Sequence, residues 1–173
     1  MIRFQTIVRV AGAFALTLAV MAAPMGSVAQ SGDTILKPAD TQKLLPASVY
    51  YKAQTAPTQL RNSTGIKFSD GYYVLSTLVD TSGYSTGVAA KYQAYFITEV
   101  PLKFGSQNLP AGVYGVGFLA GKFVVTDIGA HDIFSVSSGT DEAIKRPMPL
   151  QIIADPTGGF RLYAGRKWVR FAR

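Results

Sequence analysis

No cysteine occurs in the chain, so neither disulfides nor thiolate metal sites can contribute to its stability or chemistry. The same absence speaks against a lipid anchor on a processed N-terminal cysteine. His131 is the only histidine, which rules out a histidine-rich metal centre and, with no cysteine, all but excludes a structural zinc site. Charged residues make up only 16% of the chain against 48% apolar ones, a balance that excludes general disorder. Neither a phosphate-binding loop nor a dinucleotide fingerprint is present, and no cofactor is implied. Beyond the N-terminal stretch no apolar run reaches roughly 18 residues, the least a membrane-crossing helix needs, so no transmembrane helix is expected.

What is present begins with an address. Arg3 and Arg9 form a basic start, Val10 to Ala23 is an uncharged apolar run, and Pro24 ends it. Ser27-Val28-Ala29 then offers a small-residue cleavage site. A basic region, an apolar region of about 7–15 residues and such a site are the build of a secretory signal peptide. Residues 1–29 are therefore expected to be removed, with the mature chain starting at Gln30 in an extracytoplasmic compartment, periplasmic or secreted. The cleavage takes away two arginines and no acid, lowering the formal charge from +7 to about +5. A mildly basic exported chain favours anionic partners. It carries no nucleic-acid motif, so no nucleic acid is expected as a partner.

Residues 30–47 read as a flexible leader with one helical turn from Asp40, capped by that residue and stopped at Pro46. Residues 48–173 read as one all-β domain. Tyr92, Ala94, Phe96, Val100, Leu102 and Phe104 alternate with Gln93, Tyr95, Ile97, Glu99 and Lys103, the period of a strand with one buried face. Pro101 cannot donate to a sheet, so this strand lies at an edge or breaks there. Val113 to Ala120 is apolar on both faces, with Gly115 and Gly117 marking a bend or a close approach of backbone. Ser69-Asp70-Gly71 and Asp155-Pro156-Thr157-Gly158-Gly159 are turn signals between further strands. Only Asp141 to Arg146 looks helical in this region. About eight to ten antiparallel strands are expected, arranged as a β-barrel or a β-sandwich. Leu45-Pro46-Ala47-Ser48-Val49-Tyr50 is echoed by Leu109-Pro110-Ala111-Gly112-Val113-Tyr114, either a duplicated half or a repeated way of starting a strand.

Few residues suggest chemistry. Gly83-Tyr84-Ser85-Thr86-Gly87 fits the nucleophile-elbow pattern, and Asp127 and His131 follow in triad order. An elbow needs a buried strand before the serine and a helix after it, and the surrounding pattern is not that of alternating strands and helices. A polar loop is the simpler reading, and no catalytic residue is assigned. Gly129-Ala130-His131-Asp132 likewise reads as a turn. Most carboxylates fall in turn-like segments, so no acid–base pair is legible. Asn62-Ser63-Thr64 matches a glycosylation sequon that matters only in a eukaryotic secretory route.

The C-terminus is the least random stretch. Arg166, Trp168 and Arg170 alternate along one side of a final strand, which suits an anionic or sugar-bearing ligand through cation–π contact and bidentate pairing. The competing reading is a solvated edge strand whose charges discourage association.

Tyr84-Ser85-Thr86-Gly87 through Phe96-Ile97-Thr98-Glu99-Val100-Pro101-Leu102, together with Arg161-Leu162-Tyr163-Ala164-Gly165-Arg166, resembles a family of exported bacterial all-β proteins without known activity. The resemblance implies an extracytoplasmic fold and transfers no functional residue. Three functional readings follow: a soluble exported module binding a small molecule or an anionic envelope component, a small outer-membrane barrel, and a hydrolase.

Overall fold

The computed structural model describes residues 32–173; the expected signal peptide and its cleavage site lie outside them. In chain order the elements are β1 (Thr34–Leu36), α1 (Pro38–Thr41), β2 (Ser48–Tyr51), β3 (Gln54–Lys67), β4 (Tyr73–Val79), α2 (Thr86–Lys91), β5 (Ala94–Thr98), β6 (Leu102–Phe104) and β7 (Gln107–Leu109). They continue with β8 (Gly112–Leu119), β9 (Lys122–Thr126), β10 (Asp132–Ser137), β11 (Gly139–Thr140), β12 (Gln151–Ala154), β13 (Phe160–Ala164) and β14 (Lys167–Phe171).

The strands are antiparallel and build two facing layers. The larger sheet runs β1-β3-β4-β5-β8-β9-β10, with β2 also paired to β3. The smaller runs β11-β14-β13-β12, and the β6–β7 hairpin joins it where Lys103 and Ala172 exchange backbone hydrogen bonds of 2.7 and 3.0 Å. The chain passes from one layer to the other between β10 and β11. On the opposite side the Ile152 N–H donates to the Thr64 hydroxyl at 3.0 Å, tying β12 to β3. No continuous ladder closes this arrangement, so of the two expected architectures the molecule is sandwich-like and not a closed barrel. Strands are more numerous than the eight to ten expected because several are only two or three residues long.

The layers meet on aromatic rings. Phe104 stacks on Phe123 at 5.4 Å and on Phe171 at 5.5 Å, with Leu102, Leu109 and Leu162 buried around them. As expected from Pro101, the long alternating segment breaks there, and β5 and β6 enter different sheets. Its even-numbered face is buried in both halves.

A second cluster covers the other face of the large sheet. Tyr51 and Tyr92 stack with ring centroids 3.6 Å apart, and Tyr84 stands edge-on to both. Gly115 leaves room for the Tyr51 and Tyr92 rings, and a Cβ at Gly117 would overlap the Lys91 carbonyl at the end of α2. These two close approaches explain why β8 is buried on both sides. The Tyr92 hydroxyl is buried without a hydrogen-bond partner among the described residues, and burial pushes that phenol well above its usual pKa.

Three local expectations are corrected. The leader is not wholly flexible, because β1 pairs with the end of β3. The first helical turn starts at Pro38, placing Asp40 inside it and not at its cap. Asp141 to Arg146 forms turns, whereas a helix at Thr86–Lys91 begins inside the Gly83–Gly87 stretch expected to be a polar loop. The echoed hexapeptides start β2 and β8, strands with different neighbours, and Tyr50 is exposed where Tyr114 is buried. A repeated way of starting a strand accounts for both.

Candidate functional site

The β13–β14 hairpin presents the residues singled out at the C-terminus. Its register pairs Phe160 with Phe171 and Leu162 with Val169 on the buried side. Between them Arg161 faces Arg170 and Tyr163 faces Trp168, so these four share the outer face of the small sheet. The Arg161 guanidinium lies over the Trp168 ring, 4.2 Å from its centroid. Beneath the indole is Gly139 of β11, where a Cβ would overlap the ring. A half-buried Trp168 is thus fixed from below by glycine and covered on part of its face by a cation.

Asp155 organises the two arginines. Its side chain is 1% exposed, against 24% for Arg161 and 49% for Arg170. One carboxylate oxygen accepts from the Thr157 N–H at 2.7 Å and from the Thr157 hydroxyl; the other accepts from Arg161 Nε. Arg170 Nε stands 3.7 Å from the first oxygen and also donates to the Gly158 carbonyl at 3.2 Å. Its Nη2 donates to Gly158 and Thr157 carbonyls at 2.9 and 3.3 Å. Burial pushes the Asp155 carboxyl up, but the two Thr157 donors and Arg161 outweigh it and hold the group at about 2.

Of the expected trio, the structure brings Trp168 and Arg170 onto one face. Arg166 stands apart in the hairpin turn, donating to the carbonyls of Glu142 and Ile144. That pins the segment after β11 and gives Arg166 a structural use. Nor is β14 an edge strand: β13 lies on one side and β11 with the β6–β7 hairpin on the other. Protection of an open edge therefore does not explain its charges. Arg161 and Asp155 escaped the sequence reading because their place at the site depends on cross-strand register.

The triad pattern does not assemble as an elbow. Ser85 sits before α2 in an extended conformation with φ −61° and ψ 153°, without the strain that presents a nucleophile. His131 Nδ1 and Asp127 Oδ2 are 3.0 Å apart, but Asp127 Oδ1 accepts the N–H groups of Gly129 and His131 at 2.8 and 2.9 Å. The pair closes the β9–β10 turn, and those bonds, the His131 N–H first, lower the Asp127 pKa. Ser85 shares a cavity of about 300 Å³ with Tyr51, Lys91 and Ala130, yet makes no hydrogen bond to His131. Among the described residues no cluster of acidic or histidine side chains could hold a metal ion, and no helix is long and apolar enough to cross a membrane. No family model, curated protein or solved structure matches the chain.

Proposed function

We propose that the chain is an exported binding module that takes an anionic, sugar-bearing ligand on the outer face of its small sheet. The observation that carries this reading is the Arg161–Trp168 stack at 4.2 Å beside the half-exposed Arg170. A sugar ring can pack against the rim of this stack, since Arg161 and Gly139 take the indole faces, and the guanidinium N–H groups that Asp155 and the Thr157 and Gly158 carbonyls leave free can donate to a phosphate or carboxylate. Asp155 keeps both arginines in place before any ligand arrives, which reduces the ordering cost of binding. The basic charge of the chain and its signal-like N-terminus support an extracytoplasmic anionic partner, either a small molecule or an envelope component. The outer-membrane barrel is the weaker reading, since a spanning sheet must close to satisfy its edges in lipid.

Trp168 is the only tryptophan and reports on the site directly. Its emission should change saturably when a glycosyl phosphate is added, and less with the free sugar or inorganic phosphate. Arg170→Ala should weaken the response about tenfold, the scale of one charge-assisted contact. Emission that ignores the glycosyl phosphate, or an Arg170→Ala response like that of the parent chain, would count against this assignment.

A further inference from the structure

One corner of the small sheet gathers positive charge from two segments. Lys145 and Arg146 come from the loop after β11, and Arg166 and Lys167 from the β13–β14 turn. The segments are tied together. Arg166 Nη1 donates to the Glu142 carbonyl at 3.2 Å and to the Ile144 carbonyl. The Asp141 N–H donates to the Arg166 carbonyl at 2.9 Å, and the Gly165 N–H to the Met148 carbonyl at 3.0 Å. Leu150, buried in the core, holds the far end of the loop. None of the four cations pairs with a carboxylate among the described residues. Of the two acids in this loop, Asp141 is already engaged by the Ala143 N–H and the Tyr163 hydroxyl.

Pro147, Met148 and Pro149 follow Arg146 directly and all three are exposed, Met148 by 50%. Three consecutive apolar residues in water are unfavourable unless something covers them. This tip is also poor in polar backbone. Its two prolines have no N–H, and Gly165 satisfies the Met148 carbonyl. Moving it out of water therefore sacrifices few hydrogen bonds.

A soluble anion would use the cations and leave the tip in water. An apolar groove would cover the tip and leave the cations without partners. An anionic lipid surface serves both, since a shallow apolar insertion and a basic rim reinforce each other there. We propose that this corner docks the protein on an anionic phospholipid surface. Met148 enters the boundary between headgroups and acyl chains, and Lys145, Arg146, Arg166 and Lys167 lie over lipid phosphates. The docking uses neither Arg161 nor Arg170 and does not depend on the ligand face.

The test is sedimentation of the full chain with sucrose-loaded vesicles of mixed phosphatidylglycerol and phosphatidylcholine, against vesicles of phosphatidylcholine alone. The parent chain should bind the anionic vesicles at least about tenfold more tightly, and added salt should release it. Lys145→Glu with Arg146→Glu should weaken binding by at least about tenfold, the scale of two basic residues lost from such a surface. Lys43→Glu with Lys52→Glu, an equal charge change after α1 and in the β2–β3 turn, should stay within about twofold of the parent. Met148→Ser should weaken binding about fivefold through its lost apolar contact. Every variant keeps the N-terminal stretch, so its contribution cancels, and circular dichroism checks each fold. Equal binding to neutral vesicles, equal losses in the two charge-reversed pairs, or Met148→Ser binding like the parent would each overturn the proposal. So would binding that survives Lys145→Glu with Arg146→Glu but is lost in the Trp168→Ala, Arg170→Ala double variant, which would place the lipid on the ligand face.

Discussion

Arg161 and Arg170 stand opposite each other on adjacent strands, an arrangement that costs stability unless an anion lies within reach of both. Asp155 supplies that anion, its own side chain 1% exposed while Arg161 and Arg170 keep 24% and 49% of theirs in solvent. Its folded pKa of about 2 lies below the usual carboxylate value near 3.9, so its stabilisation is complete above about pH 4. It is lost as the pH falls through about 2. Asp155→Asn should therefore be less stable than the parent chain at neutral pH, with the gap closing on acidification between about pH 4 and 2; urea titrations across that range measure it. A gap independent of pH would mean that shape, not charge, is what Asp155 contributes. Gly139 admits an equally local test. Gly139→Ala should lift the indole, red-shifting Trp168 emission, because the added methyl would overlap the ring.

At the scale of elements, the sequence was informative wherever one residue decided the outcome alone. Pro101 broke the long alternating segment because it lacks a donor, and Gly115 and Gly117 marked close approaches because they lack a Cβ. The helices were harder to read. Thr86 to Lys91 contains Gly87 and β-branched Val88, yet folds into α2 because Gly117 lets the Lys91 carbonyl settle on β8. Asp141 to Arg146 has better helix signals and stays non-helical. Its carbonyls at Glu142 and Ile144 are bound by Arg166, and Asp141 accepts from Ala143 N–H at 3.0 Å and from Tyr163 at 3.2 Å. Long-range partners decided both cases. The same logic limited the site: alternation placed Trp168 with Arg170, but only register could add Arg161 and show Arg166 turned to other work. Two substitutions test this packing by denaturant unfolding. Gly117→Ala should cost about 1–3 kcal/mol through displacement of α2. Phe104→Ala, which empties the stack between Phe123 and Phe171, should cost about 3–5 kcal/mol.

For the whole molecule, a tyrosine cluster covers the outer side of the large sheet, while on the small sheet Arg161 and Arg170 stay partly exposed. A cationic, aromatic face on the small sheet and an excess of basic residues suit the anionic ligand proposed above. Such binding should weaken as salt is added, because its charges are partly exposed. The most direct measurement is to express the full chain in a Gram-negative host, collect the periplasmic fraction, and weigh it by native mass spectrometry. The expected result is a chain starting at Gln30 that carries an anionic adduct, with the adduct lost in a folded Trp168→Ala, Arg170→Ala double variant. An unprocessed chain, a bare mass, or a sugar-bearing adduct that the double variant retains would contradict the proposed exported binding module built on Arg161, Trp168 and Arg170.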